Sequence, residues 1–109
     1  MPIHKDLAAG RWFALTLIEQ LANAGSEAGR TIRAAEAGDR EQQQLAFSRL
    51  LELLDLTLAD PRWRGRRKEL CRLREVICDA FCGDNVYGTS FAWLSRYFLE
   101  YGIAARLRR

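Results

Sequence analysis

The chain has 109 residues, 49% hydrophobic and 28% charged, a length and balance that fit one folded domain, 1–109, and not a disordered chain. The formal net charge of +3 is unevenly divided: residues 1–60 carry 6 basic and 9 acidic side chains, residues 61–109 carry 11 and 5, so one end of the molecule suits anions. No apolar run approaches the roughly 20 residues that a bilayer requires, and MPIHKDLAAG lacks the basic-then-apolar plan of a signal peptide; the expectation is a cytoplasmic protein with no membrane contact.

Apolar spacing is helical almost throughout, without the alternation of a half-buried strand. The first helix is predicted over about 6–37, where Ala14, Ile18, Leu21, Gly25, Ala28, Ile32 and Ala35 recur at alternating steps of four and three, a 3.5-residue seam. Inside it, GSEAG either lets another helix backbone approach Gly25 and Gly29 or weakens the helix by about 1 kcal/mol per glycine. Gly38 breaks the pattern, and Asp39 with Gln42 approximates a capping box. A second helix follows over about 40–59. Ala46, Phe47, Leu50, Leu51, Leu53, Leu54 and Leu58 fill its core arc, while Leu45 and Leu56 fall in the polar strip of Ser48, Arg49, Glu52 and Asp55.

Asp60 and Pro61 end that helix, because proline disfavours helical geometry in the residue before it and tolerates a new first turn. A third helix is predicted over about 62–82, with Leu70, Leu73, Ile77, Ala80 and Phe81 on the core arc and Lys68, Arg72, Glu75 and Asp79 opposite. Arg74 projects onto the flank of the apolar arc, where an unpaired charge is costly. A carboxylate from a neighbouring helix is expected to meet it, with Glu19, Glu52 and Asp55 as candidates. Gly83 can close the third helix. The loop GDNVYGTS either presents Asp84, Asn85 and Tyr87 to a ligand or forms a compact turn. Thr89 or Ser90 caps a fourth helix, about 90–107, beyond which Arg108 and Arg109 fray. Short connections make the expected architecture an all-α, antiparallel four-helix bundle.

Little in this sequence supports catalysis. His4 is the sole imidazole, so there is no nucleophile-histidine pair, no HExxH and no glycine-rich phosphate loop. Cys71, Cys78 and Cys82 lie within twelve residues on one flank of the third helix. They make a poor disulfide framework, lack a fourth metal donor and read as small buried hydrophobes. Glu52 and Asp55 read as a solvated strip or as partners for arginine. The expectation is a protein that is not an enzyme and needs no cofactor or metal.

Two interaction signals remain. Arg62, Arg64, Arg66, Arg67 and Lys68 crowd a helix start, where the macrodipole disfavours cations by about 0.3–1 kcal/mol each. An anionic partner such as RNA or DNA would compensate, with Trp63 as a stacking face; alternatively Trp63 plugs the end of the bundle. The fourth helix is apolar on most sides. Phe91, Leu94, Tyr97, Phe98, Tyr101 and Ala105 form one face, and Leu99, Ile103, Leu107 and Trp93 project elsewhere. With Leu45 and Leu56, the residues Trp93, Leu99 and Ile103 point to a homo-oligomer interface; alternatively the fourth helix is central and these residues are core.

Taken together, GRWFALTLIEQLANAGSEAGRTIRAA, then LLELLDLTLADPRWRGRRKELCRLRE, then FCGDNVYGTS and an aromatic last helix resemble the basic four-helix proteins of the bacterial ribosomal-RNA intervening-sequence family, which includes the accessory proteins of diversity-generating retroelements. The resemblance implies a ring-like homo-oligomer that binds a reverse transcriptase and its RNA, and it carries over no site residues. The functional expectation is a non-catalytic, self-associating adaptor that engages nucleic acid or a nucleic-acid enzyme through its basic end. The alternative is a purely protein-binding module, a partner of a toxin or of a larger enzyme.

Overall fold

The computed structural model describes residues 10–82 and 90–107, with side-chain burial described through residue 104. All regular elements among these residues are helical: α1 (Leu17–Glu36), α2 (Arg40–Ala59), α3 (Arg67–Cys82) and α4 (Phe91–Leu107), with short 3-10 helices at Arg11–Ala14 and Pro61–Arg66. They form an antiparallel four-helix bundle. α1 packs along α2 on one side and α4 on the other, and α3 lies against α2. None of the described helices is long and apolar enough to cross a membrane.

The start of α1 differs from the expected helix over 6–37. Thr16 caps it with a complete box: the Thr16 hydroxyl accepts from the Glu19 amide at 3.2 Å, and the Glu19 carboxylate accepts from the Thr16 amide at 3.0 Å. Satisfying both amides at this point favours initiation here over continuation from upstream. Leu15 is accordingly extended, and residues 11–14 wind as a separate 3-10 turn. Ala14 is therefore exposed and not part of a seam, whereas Trp12 turns inward and is only 1% exposed.

The buried face of α1 is also wider than one seam. It comprises Leu17, Gln20, Leu21, Ala24, Glu27, Ala28, Thr31, Ile32 and Ala34, because the helix is flanked by two neighbours and covered on two sides. The two glycines of GSEAG differ in role. A Cβ on Gly25 would lie 2.7 Å from the Cβ of Phe98, so the approach of α4 requires glycine there. A Cβ on Gly29 would meet only the mobile guanidinium of Arg33, at 3.3 Å.

Elsewhere the boundaries follow the sequence closely. Gly38 takes a left-handed φ of 72°, and the Asp39 carboxylate accepts from the Gln42 amide at 3.1 Å. α2 ends at Asp60 and Pro61. The expected third helix divides, however: Trp63 departs from helical geometry at φ −102° and ψ 20°, and α3 proper begins only at Arg67. Ser90 caps α4 by accepting from the Trp93 amide at 3.1 Å.

Leu50, Leu53, Leu54, Leu70, Leu73, Ile77, Leu94 and Phe98 form the centre of the core. Phe47, Phe81 and Phe91 close one end, with ring centroids 5.6 and 5.1 Å apart. The expectations placed on Asp6, His4, the loop at 83–89 with Gly83, Asp84, Asn85, Tyr87 and Thr89, and on Arg108 and Arg109, lie outside the described residues.

Candidate nucleic-acid interface

The basic stretch leaves the opposite end of the bundle, where α2 turns into α3, and the corner beside it is held by a closed set of polar contacts. Asp60, 1% exposed, lies at the centre. Its carboxylate accepts from the Arg62 amide at 3.0 Å, from Arg62 Nε at 3.1 and 3.2 Å, from Arg62 Nη2 at 2.7 Å and from Gln20 Nε2 at 3.0 Å. Gln20 Nε2 also donates to the Trp12 carbonyl at 3.0 Å, and its Oε1 accepts from the Trp63 indole at 2.9 Å. The Trp12 indole donates to the Thr57 hydroxyl at 3.1 Å, and that hydroxyl donates to the Leu53 carbonyl at 3.0 Å. Arg62 Nη2 reaches the Leu15 carbonyl at 2.6 Å, and the guanidinium carbon lies 4.5 Å from the Trp63 ring centroid.

These contacts set the charge states. The Arg62 side-chain hydrogen bonds hold Asp60 ionised, lowering its pKa from 3.8 to about 2 against the opposing effect of burial. In turn Asp60 raises the Arg62 pKa above its already high ordinary value. A charge-assisted, multiply bonded pair of this kind positions three chain segments at once: the 3-10 turn before α1, the end of α2 and the approach to α3.

The six residues expected to form the nucleic-acid surface thus have different employments. Arg62 serves the corner. Trp63 is half-buried against the core with its indole donor occupied, so it partly plugs the bundle end, although Trp12 is the indole buried there completely. Arg66 pairs with Glu69, its Nη2 at 3.1 Å from the carboxylate. Arg67 reaches the Leu58 carbonyl at 3.4 Å. Arg64, Arg67 and Lys68 are exposed, and no ion pair joins them to another described residue. Arg67 and Lys68, with Cys71, Arg72 and Glu75, line a shallow depression of about 510 Å³ on α3.

Comparison with protein-family models, curated proteins and solved structures finds no match for this chain.

Arg74 meets Asp55, Nε to Oδ1 at 2.8 Å, which selects one of the three candidate carboxylates and raises the arginine pKa further. The expected interface set divides. Leu45, Trp93, Leu99 and Ile103 are 43, 48, 60 and 48% exposed, but Leu56 is half-buried against the core. Leu99 borders a groove of about 420 Å³ between α1 and α4, lined also by Gly25, Ser26, Gly29 and Gly102. Trp93 stacks instead on Tyr97.

The cysteines require a correction. They do share one flank of α3, but Cys71 and Cys82 are exposed and only Cys78 is half-buried. Cys78 lies beside the Arg74–Asp55 pair, its sulfur 3.8 Å from Arg74 Nη1. Burial pushes the Cys78 thiol pKa up, which keeps it protonated at neutral pH.

Sequence reasoning missed the corner network. Its signals were present: Thr57 lies seven residues after Leu50 and four after Leu53, on the core face of α2, and Gln20 lies within the apolar arc of α1. A polar side chain at a core position requires a partner.

Proposed function

We propose that this chain is a non-catalytic, self-associating helical adaptor, a cytoplasmic bacterial accessory protein that binds nucleic acid or a nucleic-acid enzyme such as a reverse transcriptase. The observation that carries the reading is the separation within residues 62–68. Arg62 and Arg66 are neutralised by Asp60 and Glu69, while Arg64, Arg67 and Lys68 lie exposed, with no ion pair to a described residue. Cations held at or before a helix start work against the dipole, and a phosphate backbone supplies the missing anion. Leu99, Ile103 and Leu45 give the adaptor its contacts between copies.

The test is titration of labelled RNA and DNA at low and moderate salt, with the native chain and with Arg64→Glu, Arg67→Glu, Lys68→Glu combined. Native binding should weaken steeply with salt, and the reversed variant should lose it while native oligomers persist in light scattering. Loss of three phosphate contacts on duplex DNA should reduce the slope of log K against log salt by about 2.7. Binding unaffected by the reversal counts against the reading.

The alternative, a protein-binding module that partners a toxin or a larger enzyme, is favoured by the exposed apolar side chains Leu45, Leu99 and Ile103. Under that reading, affinity purification from the native host recovers a protein partner and no nucleic acid.

A further inference from the structure

Five positions of α1 recur at alternating steps of three and four: Glu19, Ala22, Ser26, Gly29 and Arg33, a single seam along the helix. Ser26 and Arg33 are exposed and the other three half-buried. The small residues of the seam line one wall of the groove of about 420 Å³ between α1 and α4, and Ser95, Leu99 and Gly102 line the other. Leu99, at 60%, is the most exposed large apolar side chain among the described residues. Two of the glycines have no cause within the chain. Glycine weakens a helix interior, and Gly25 is required by the Cβ of Phe98, whereas a Cβ on Gly102 would meet nothing within 4 Å and one on Gly29 only the flexible end of Arg33, at 3.3 Å. Both line the same groove and keep it shallow enough in side chains for another helix to approach.

We propose that this groove takes α1 of a second copy of the chain, the two α1 helices packing antiparallel about a two-fold axis at Ser26. The proposal rests on the self-association in the reading above and adds its surface, orientation and register. Charge complementarity selects this occupant. Glu19 and Arg33 lie seven residues to either side of Ser26 on the same seam, each roughly 10 Å from the axis. In the antiparallel pair, Glu19 of each copy meets Arg33 of the other. A parallel pair would set Glu19 against Glu19 and Arg33 against Arg33, which disfavours it.

The surrounding charges agree. No ion pair joins Arg33 to another described residue, and the bond from the Thr16 amide holds the Glu19 carboxylate at the start of the seam. Arg30, the other cation on this side of α1, is bonded to Glu27 at 2.8 Å, and neither Arg96 nor Glu100 lines the groove. The shape is self-complementary too, as a two-fold contact requires. Phe98 lies opposite Gly25, so the adjacent Leu99 stands within one turn of the axis, where it covers the small residues of the other copy's α1. Arg33, folded over Gly29 in the single chain, swings outward to its new partner.

The test is sedimentation equilibrium over a range of concentrations, with circular dichroism as the check on folding. Gly29→Leu should raise the dissociation constant of the pair at least about tenfold, the scale of one overpacked contact. Gly29→Ala should move two quantities in opposite senses: the firmer helix raises the melting temperature of the dilute chain, while the added methyl group weakens the pair. Arg33→Glu and Glu19→Arg should each weaken self-association, and an equimolar mixture of these two variants should restore it, because a mixed pair sets Glu against Arg at both ends. Damage to the Thr16 cap in Glu19→Arg is not repaired by mixing, so recovery reads the contact between copies alone.

Self-association untouched by Gly29→Leu, or not restored in the mixture, would overturn this pairing and assign the contact between copies to another surface. A native chain that stays monomeric at every concentration would overturn the pairing and, with it, the self-associating part of the functional reading.

Discussion

Residues 60–63 and residues 64–68 are adjacent in the chain and share one run of arginines, yet they are used in opposite ways. In the first, Asp60 is buried and every donor aimed at its carboxylate has a short, direct bond. In the second, the cations are exposed, and among the described residues only Arg66 has an ion pair, at a surface where such a pair is worth little. The kink at Trp63 separates the two, turning Arg62 back toward α1 and leaving Arg64 and Arg67 outward. A run of arginines is therefore no single feature: its members are sorted by whether a buried carboxylate lies within reach.

The largest effect should come from breaking the closed corner. Asp60→Ala removes the cap of the Arg62 amide and the acceptor for the Arg62 side chain and for the buried Gln20 amide, and about 2–4 kcal/mol of stability should be lost. Urea unfolding followed by circular dichroism measures it. A loss under 1 kcal/mol would mean that the corner is no more consequential than the exposed stretch beside it.

A smaller effect should follow from acid. The Asp60 pKa is about 2 in the folded chain against an ordinary 3.8, so its contribution is fully present above the unfolded value and is lost as pH falls through the folded one. Between about pH 5 and pH 2 the native chain should lose about 2 kcal/mol from this group. Asp60→Asn, which cannot titrate, should lack that component, so the two stability curves should converge as pH falls. Parallel curves would contradict the assignment.

The sequence showed the fold more fully than the site, for a physical reason. Helix positions follow from periodicity and from local stops, and both are strong here: Gly38, Asp39, Asp60 and Pro61 bound α2 at its observed limits. The start of α1 is less legible, because Ala14 continues the four-and-three spacing of Ile18 and Leu21, while the overriding signal, Thr16 with Glu19, is a two-residue local contact. The pairing of Arg74 with a carboxylate was legible because a charge on an apolar flank needs a counterion. The network around Asp60 was not legible. It joins positions 12, 20, 57, 60 and 63, and their proximity depends on the packing of α1 against α2, which periodicity does not specify.

The smallest effect, and the sharpest contrast with Asp60, is expected on stability for the charge reversal at Arg64, Arg67 and Lys68. Exposed side chains without ion pairs to described residues lose little when replaced. Arg67 and Lys68 occupy the first turn of α3, where glutamate complements the dipole and the native cations oppose it. The triple variant should therefore be as stable as the native chain or up to about 1 kcal/mol more so, which for a chain of this size is a rise in Tm of up to roughly 6 °C. If it instead loses more than 1 kcal/mol, these cations are held by acidic groups of the chain itself, and the anion they await is internal. If stability is kept while binding is lost, the three charges are maintained against the interest of the fold, which is the expected signature of a surface selected for a partner.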